Sequence, residues 1–273
     1  MINEYISYLI DIRGLSTATA TAYGKDLRHF AHWAQEYLTD AHWSTITRDD
    51  IDAYIRARVS EGRKPATTNR ALSAIAGIYG YFKRQGLLTE SPCKFESRRK
   101  LAKTLPSTIP TGDLKEAYKA ATGKTKLLLG ILATTGLRIQ EALNIRYFDV
   151  DTERGSIIIH GKGNKDRVVF IAQDWARQIA LEGQQKNSSA YVFDWSQRDA
   201  RCIIEKALRP FTTAEKVNPH TIRHTLATEL AIAGCNVSQI ATLLGHTHLE
   251  TTQKYINAAR LDLATLPTGC ALA

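Results

Sequence analysis

Residues 220–230 read HTIRHTLATEL and place an imidazole, a guanidinium and a second imidazole within five positions: His220, Arg223 and His224. On a helix, His220 and His224 at i and i+4 share one face, a spacing that metal sites use. A metal reading needs further ligands. The other candidates for a shared site are Arg138 in TTGLRIQEAL, Lys162 in GKGNKDR, His246 in LLGHTH and Tyr255, nine residues beyond His246. Two arginines and a lysine would repel a bound cation, and no carboxylate or cysteine stands at ligand spacing. No metal and no cofactor is therefore expected.

With an anion in place of the cation the set becomes coherent. Two guanidiniums can each donate paired hydrogen bonds to the nonbridging oxygens of a phosphodiester and stabilise the extra charge of a pentacovalent transition state. Imidazoles can donate or carry protons. A tyrosine hydroxyl can attack phosphorus and split a strand transfer into two transesterifications, while a loop lysine can protonate the leaving 5′ oxygen.

Composition agrees with a polyanionic partner. The chain has 273 residues, 44% of them hydrophobic, enough for a core, and carries a net charge of +9. Its four cysteines, Cys93, Cys202, Cys235 and Cys270, are scattered singly, which fits reduced thiols in the cytoplasm. No window approaches the roughly 20 apolar residues of a membrane span, and acids interrupt the apolar run at the N-terminus, unlike a signal peptide. No membrane partner is expected.

The basic excess is local. Residues 1–92 hold 11 Lys+Arg against 10 Asp+Glu, residues 93–106 five against one, and residues 107–273 20 against 16. The segment CKFESRRKLAKTLP, with Arg98, Arg99, Lys100 and Lys103, fits equally an extended basic linker joining two domains over 93–110 and a solvated charge run.

Before it, the pattern predicts four helices: residues 2–13, stopped by Gly14; 17–37 after Ser16; a third capped by Thr47 and Asp50; and a fourth opened by Pro65 and ended before Gly86. Thr21, Lys25 and Arg28 on the second helix, and Thr67, Thr68, Arg70 and Ser73 at the start of the fourth, are predicted to face outward. These types bind phosphates and base edges, and each singly also suits an ordinary polar surface. From Thr111 the chain is mostly helical, apart from SIIIHGKGNKDRVVFI, whose β-branched runs flank a Gly, Lys and Asn rich connection and predict a hairpin.

Four blocks, TTGLRIQEALNI, GKGNKDR, HTIRHTLAT and LLGHTHLETTQKY, together with RGLSTATATAYGKDLRHF and KPATTNRALSAIAGIYGYF, make nearly the whole chain resemble the tyrosine recombinases, close to the Xer and phage integrase branch. The resemblance implies a mainly α fold: a four-helix, SAM-like core-binding domain over 1–92, and a mostly helical catalytic domain with a small antiparallel sheet over 111–273. It also implies Tyr255 as nucleophile, Arg138 and Arg223 as the phosphate clamp, Lys162 as general acid, and His220 and His246 as supporting donors or proton carriers. Glu141 would brace a cationic neighbour, His224 would be a buried structural residue, and His248 is given no role. Leu226 stands where the family often has phenylalanine, a tolerable core exchange.

The resemblance further implies duplex DNA as substrate, four protomers on two sites, and a possible partner recombinase or accessory factor. The tail from Ala258 would pass to a neighbouring protomer. A type IB topoisomerase shares the catalytic residue types, but the four-helix first domain argues against it. A non-catalytic architectural binder fits the charge but not the complete residue set.

Overall fold

The computed structural model describes residues 1–93, 106–161, 166–185, 187, 189–245 and 252–256. The basic segment with Arg98, Arg99, Lys100 and Lys103, the loop with Lys162, the stretch with His246 and His248, and the tail from Ala258 lie outside them. The chain forms two compact units, Met1–Lys103 and Thr104–Ala273.

The first unit is four helices: α1 (Ile2–Asp11), α2 (Thr17–Tyr37), α3 (Arg48–Ser60) and α4 (Pro65–Arg84). Their ends follow local chemistry. The Ser16 hydroxyl accepts the Thr19 N–H, and Thr47 and Asp50 form a reciprocal capping box in which Thr47 N–H donates to Asp50 Oδ2 at 2.8 Å. Pro65 opens α4, where its missing N–H costs nothing. Leu27, Phe30, Ile51, Tyr54, Leu72, Ile75, Tyr79 and Phe82 close the core. Phe30 meets Tyr54 edge-on at 5.0 Å, and a Cβ at Gly77 would collide with the Tyr5 hydroxyl.

The predicted outward faces hold for Thr21, Lys25, Arg28 and Arg70 and need correction at Thr68. Thr21, Lys25 and Arg28 are exposed, with Arg28 donating to Asn3 Oδ1 at 3.0 Å. Thr67 and Ser73 are half-buried. Thr68 is fully buried, its hydroxyl donating to Pro65 O at 3.0 Å, so it cannot meet DNA. Arg70 turns its Nε and Nη2 onto the buried Asp26 at 2.7 and 3.0 Å. α4 packs on α1, α2 and α3 and so buries a wider arc than one amphipathic stripe.

Arg70 therefore has a structural duty. Removing it strands the Asp26 carboxylate in the core; because Arg70 is itself 44% exposed, the expected cost of Arg70→Ala is about 2–3 kcal/mol, below that of a fully buried pair. Denaturant unfolding of the full chain should show that loss, with Lys25→Ala, on an exposed position, near zero. Equal stability for the two variants would remove the Asp26 pairing from the fold's support.

The second unit is built around α6 (Gly123–Thr135), whose run Leu127–Leu132 is buried on all sides and packs on α5 (Thr111–Ala120), α7 (Ile139–Leu143), α9 (Gln197–Leu208) and α10 (Pro219–Ile232). A helix apolar all round belongs inside. Between α7 and α9 come a 3-10 turn (Tyr147–Asp149), β1 (Val150–Asp151), β2 (Ser156–Ile159), β3 (Arg167–Phe170) and α8 (Gln173–Gln184). The antiparallel sheet has order β1-β2-β3, with Ile157 opposite Val169 and Ile159 opposite Arg167. Ile157 and Val169 are buried while Ile158 and Val168 are exposed, so the continuous apolar runs cover one face only. α11 (Val237–Leu244) follows α10, and residues 252–256 are helical.

Ile109, assigned to the linker from sequence, is a core residue of the second unit. Its N–H donates to Thr225 Oγ1 at 2.8 Å, and that hydroxyl donates to Ile109 O at 3.1 Å. Among the described residues no helix is long and apolar enough to cross a membrane.

Candidate active site

Two glycine turns set the site. α6 ends at Gly136 with φ +61°, and α11 ends at Gly245 with φ +66°. A Cβ on Gly136 would lie 2.5 Å from Leu244 Cδ2, and one on Gly245 would lie 2.9 Å from Arg167 Cζ. Only glycine supplies both the left-handed backbone and the space.

Arg223, on the first half of α10, joins the turns. It is 3% exposed, and its Nη1 and Nη2 donate to Gly136 O and Leu244 O at 2.6 and 2.8 Å. Burial, then the neighbouring Arg138 cation, push its pKa down to about 10, so it stays charged at neutral pH. Two of its five N–H groups are thereby committed to backbone.

Arg138 caps α7 and leans on Glu141. Its N–H donates to Glu141 Oε2 at 2.8 Å and its Nη1 to Oε1 at 2.9 Å, while both terminal nitrogens reach Gly245 O at 3.4–3.5 Å. Burial alone would raise the Glu141 pKa, but hydrogen bonds from Arg167 and Arg138 outweigh it and hold the carboxyl below its usual range. Among the described groups here, three guanidiniums, Arg138, Arg167 and Arg223, face one carboxylate. That imbalance suits an anion.

His220 and His224 stand one turn apart, their rings 6.4 Å apart and inclined by 27°. Asn218 accepts the His220 and Thr221 N–H groups and starts α10, with Pro219 at its first position. Burial, then Arg223, lower the His220 pKa. Burial, then Lys254, lower His224 to about 4, so both rings are neutral near pH 7. A cavity of about 230 Å³ opens against His220, His224, Lys216 and Lys254. Among the described residues no group of three or more His, Cys, Asp or Glu side chains could hold a metal ion.

Tyr255 sits in a small core with Ala227, Ile240 and Leu244, 1% exposed, its Oη hydrogen-bonded to His224 Nδ1 at 2.7 Å. Burial raises its pKa, and the Arg223 and Arg138 cations partly offset this. His224 is thus half-buried and engaged with the candidate nucleophile, where the sequence reading made it simply a buried structural residue. Its i+4 relation to His220 was the available signal.

Arg138, Arg223, His220 and Tyr255 come together in the second unit. Lys162 and His246 lie outside the described residues, next to the described Gly161 and Gly245. His160, just before Gly161, is held between Asp149 Oδ1 and Asp166 Oδ2 at 3.1 and 3.0 Å, which raise its pKa. Sequence reasoning did not single out Arg167, although it closes GKGNKDR.

Residues 109–261 match the phage integrase family, and residues 2–86 match the phage integrase N-terminal SAM-like domain. Tyrosine recombinase XerD of Listeria innocua serovar 6a is 26% identical over 283 residues, covering 96% of this chain and 95% of that protein. Tyrosine recombinase XerC of Lactobacillus delbrueckii subsp. bulgaricus is 28% identical over 282 residues, covering 95% of each. Among solved structures, XerH site-specific recombinase bound to palindromic difH substrate, a post-cleavage complex, aligns with TM-score 0.74 at 20% identity, covering 96% of this chain and 83% of that one. A lambda integrase(75-356) dimer bound to a COC′ core site aligns with TM-score 0.70 at 18% identity, covering 93% of each chain. These two likenesses concern the fold. With one family match spanning more than half of the 273 residues and the N-terminal match most of the rest, the chain belongs to the phage integrase family of tyrosine recombinases.

Proposed function

We infer that this protein is a site-specific tyrosine recombinase that cuts and rejoins duplex DNA through a 3′-phosphotyrosyl intermediate. In the first step the Tyr255 hydroxyl gives up its proton and its oxygen bonds to phosphorus, the bond from phosphorus to the 5′ oxygen breaks, and the departing oxygen takes a proton. In the second, a 5′ hydroxyl gives up its proton and attacks the phosphotyrosine, the bond from phosphorus to the Tyr255 oxygen breaks, and that oxygen regains a proton. The covalent link preserves the energy of the phosphodiester, so neither ATP nor a metal ion has a step to perform.

The observation that carries this reading is Tyr255 hydrogen-bonded to His224, one turn from His220, within the field of the Arg223 and Arg138 cations. Arg138 and Arg223 would clamp the nonbridging oxygens, His220 and His246 would donate or carry protons, and Lys162 would protonate the 5′ oxygen. Tyr255 must leave its core position to reach a phosphate. Thr21, Lys25 and Arg28 would meet DNA from the first unit, and Arg98, Arg99, Lys100 and Lys103 would follow the backbone. Four protomers on two sites, with tails exchanged around the ring and a partner recombinase or accessory factor, complete the proposed assembly.

The test starts from the DNA site the protein occupies in cells, rebuilt as a nicked suicide duplex and as a two-site substrate. A covalent protein–DNA adduct and exchange of strands between the two sites are expected. Absence of the adduct would make the protein an idle binder, and an adduct with relaxation but no exchange would make it topoisomerase-like.

A further inference from the structure

Arg167 takes part in none of the steps above, yet it shares one carboxylate with the clamp. Its Nη2 and Nη1 donate to Glu141 Oε2 and Oε1 at 2.8 and 3.3 Å. The same oxygens receive the Arg138 N–H at 2.8 Å and the Arg138 Nη1 at 2.9 Å. Each Glu141 oxygen therefore accepts once from Arg138 and once from Arg167. The pairing is shielded from water, with Glu141 14% and Arg167 18% exposed, so it is screened less than a surface pair.

Arg167 is placed to act on its neighbours and not on a ligand. Its terminal nitrogens both point at Glu141, and its Nε is sealed from solvent with no hydrogen-bond partner among the described residues. The guanidinium lies against Gly245, where a Cβ would lie 2.9 Å from Cζ and 3.0 Å from Nη1. β3 supplies its backbone, through the Ile159 and Arg167 pair at the end of the ladder.

Charge counting gives the arrangement its consequence. With Arg138 alone, Glu141 would neutralise one clamp cation and draw it away from a phosphate. With Arg167 present, the carboxylate charge is divided between two guanidiniums, so Arg138 is oriented by Glu141 yet keeps most of its field for an anion.

We propose that Arg167 is a positioning residue for DNA cleavage: by sharing Glu141 with Arg138 it fixes the Arg138 guanidinium and leaves that cation available to the scissile phosphate. The proposal rests on the reading of Arg138 as a clamp residue.

The experiment is single-turnover cleavage by the full chain on two suicide duplexes. One has an ordinary scissile phosphate, and the other a methylphosphonate there, in which a methyl group replaces a nonbridging oxygen and removes the charge that the clamp neutralises. Arg167→Met should slow cleavage of the ordinary duplex on the order of 10- to 100-fold, as expected for a mispositioned electrostatic donor. On the methylphosphonate duplex the loss should shrink to within about threefold, because the pentacovalent transition state then carries one negative charge instead of two. Arg138→Ala should show the same selective recovery, and the double variant should be no slower than Arg138→Ala. Arg167→Lys, which keeps the charge but not the fork, should fall between Arg167→Met and the parent.

Parent-like cleavage by Arg167→Met overturns the proposal. So does an equal loss on both duplexes, the mark of a merely structural role, and so does full additivity with Arg138→Ala. If Arg167→Met melts early or binds its site poorly, the comparison between the two duplexes is made with Arg167→Lys. Parent-like cleavage by Arg138→Ala, or no recovery of that variant on the methylphosphonate, removes Arg138 from the clamp and the present proposal with it. That failure is read from the Arg138 arm alone.

Discussion

Tyr255→Phe is expected to bind its DNA site like the parent and to form no covalent adduct, because it loses only the oxygen that would attack phosphorus. The choice of phenylalanine follows from the packing. The ring is 1% exposed against Ala227, Ile240 and Leu244, so Tyr255→Ala would open a cavity at a cost of about 3–5 kcal/mol and confuse folding with chemistry. Phenylalanine keeps the ring and forfeits the bond to His224, worth about 1 kcal/mol. The measurement is denaturing gel electrophoresis of the suicide-duplex reaction beside a gel shift. An adduct that survives the substitution would place the nucleophile elsewhere.

Arg223→Ala should fail twice over. It withdraws a clamp donor, with an expected loss of about 2.7–4 kcal/mol of transition-state stabilisation, or roughly 10²–10³ in rate. It also strands Gly136 O and Leu244 O, at about 1–3 kcal/mol for each carbonyl that finds no water. Calorimetry and single-turnover cleavage on one preparation separate the two losses. Near-parent cleavage would remove Arg223 from the chemistry, and an unchanged melting temperature would show that the two turns hold without it.

How much of this was legible in sequence depended on how far apart the partners stand. The Thr47 and Asp50 box and the Pro65 start are signals within one turn, and both helices begin as read. The β2–β3 hairpin announced itself through β-branched runs, whereas β1, two residues long, offers no pattern to read. Thr68 misled because outwardness was inferred from residue type, whereas Arg70 is exposed as expected but carries a pairing that its type does not reveal. Asp26 lies 44 positions before Arg70, and no spacing rule links α2 to α4. Likewise Glu141 was expected to brace a cation, but Arg167, 26 positions on, is tied to it only by the folding of β3 toward α7. The motif blocks survived this difficulty because each carries its own short spacing, and it is the fold that unites them.

Arg223 gives the protein an asymmetric future under mutation. A descendant freed from selection for recombination, but kept for binding DNA, could exchange Tyr255 for phenylalanine with little structural cost. It could not shed Arg223 so easily, since the same guanidinium that would grip a phosphate also fastens Gly136 to Leu244. Decay of such a lineage should therefore begin at the nucleophile and leave the clamp, so that a surviving arginine at this position testifies to architecture and says little about whether the enzyme still cuts.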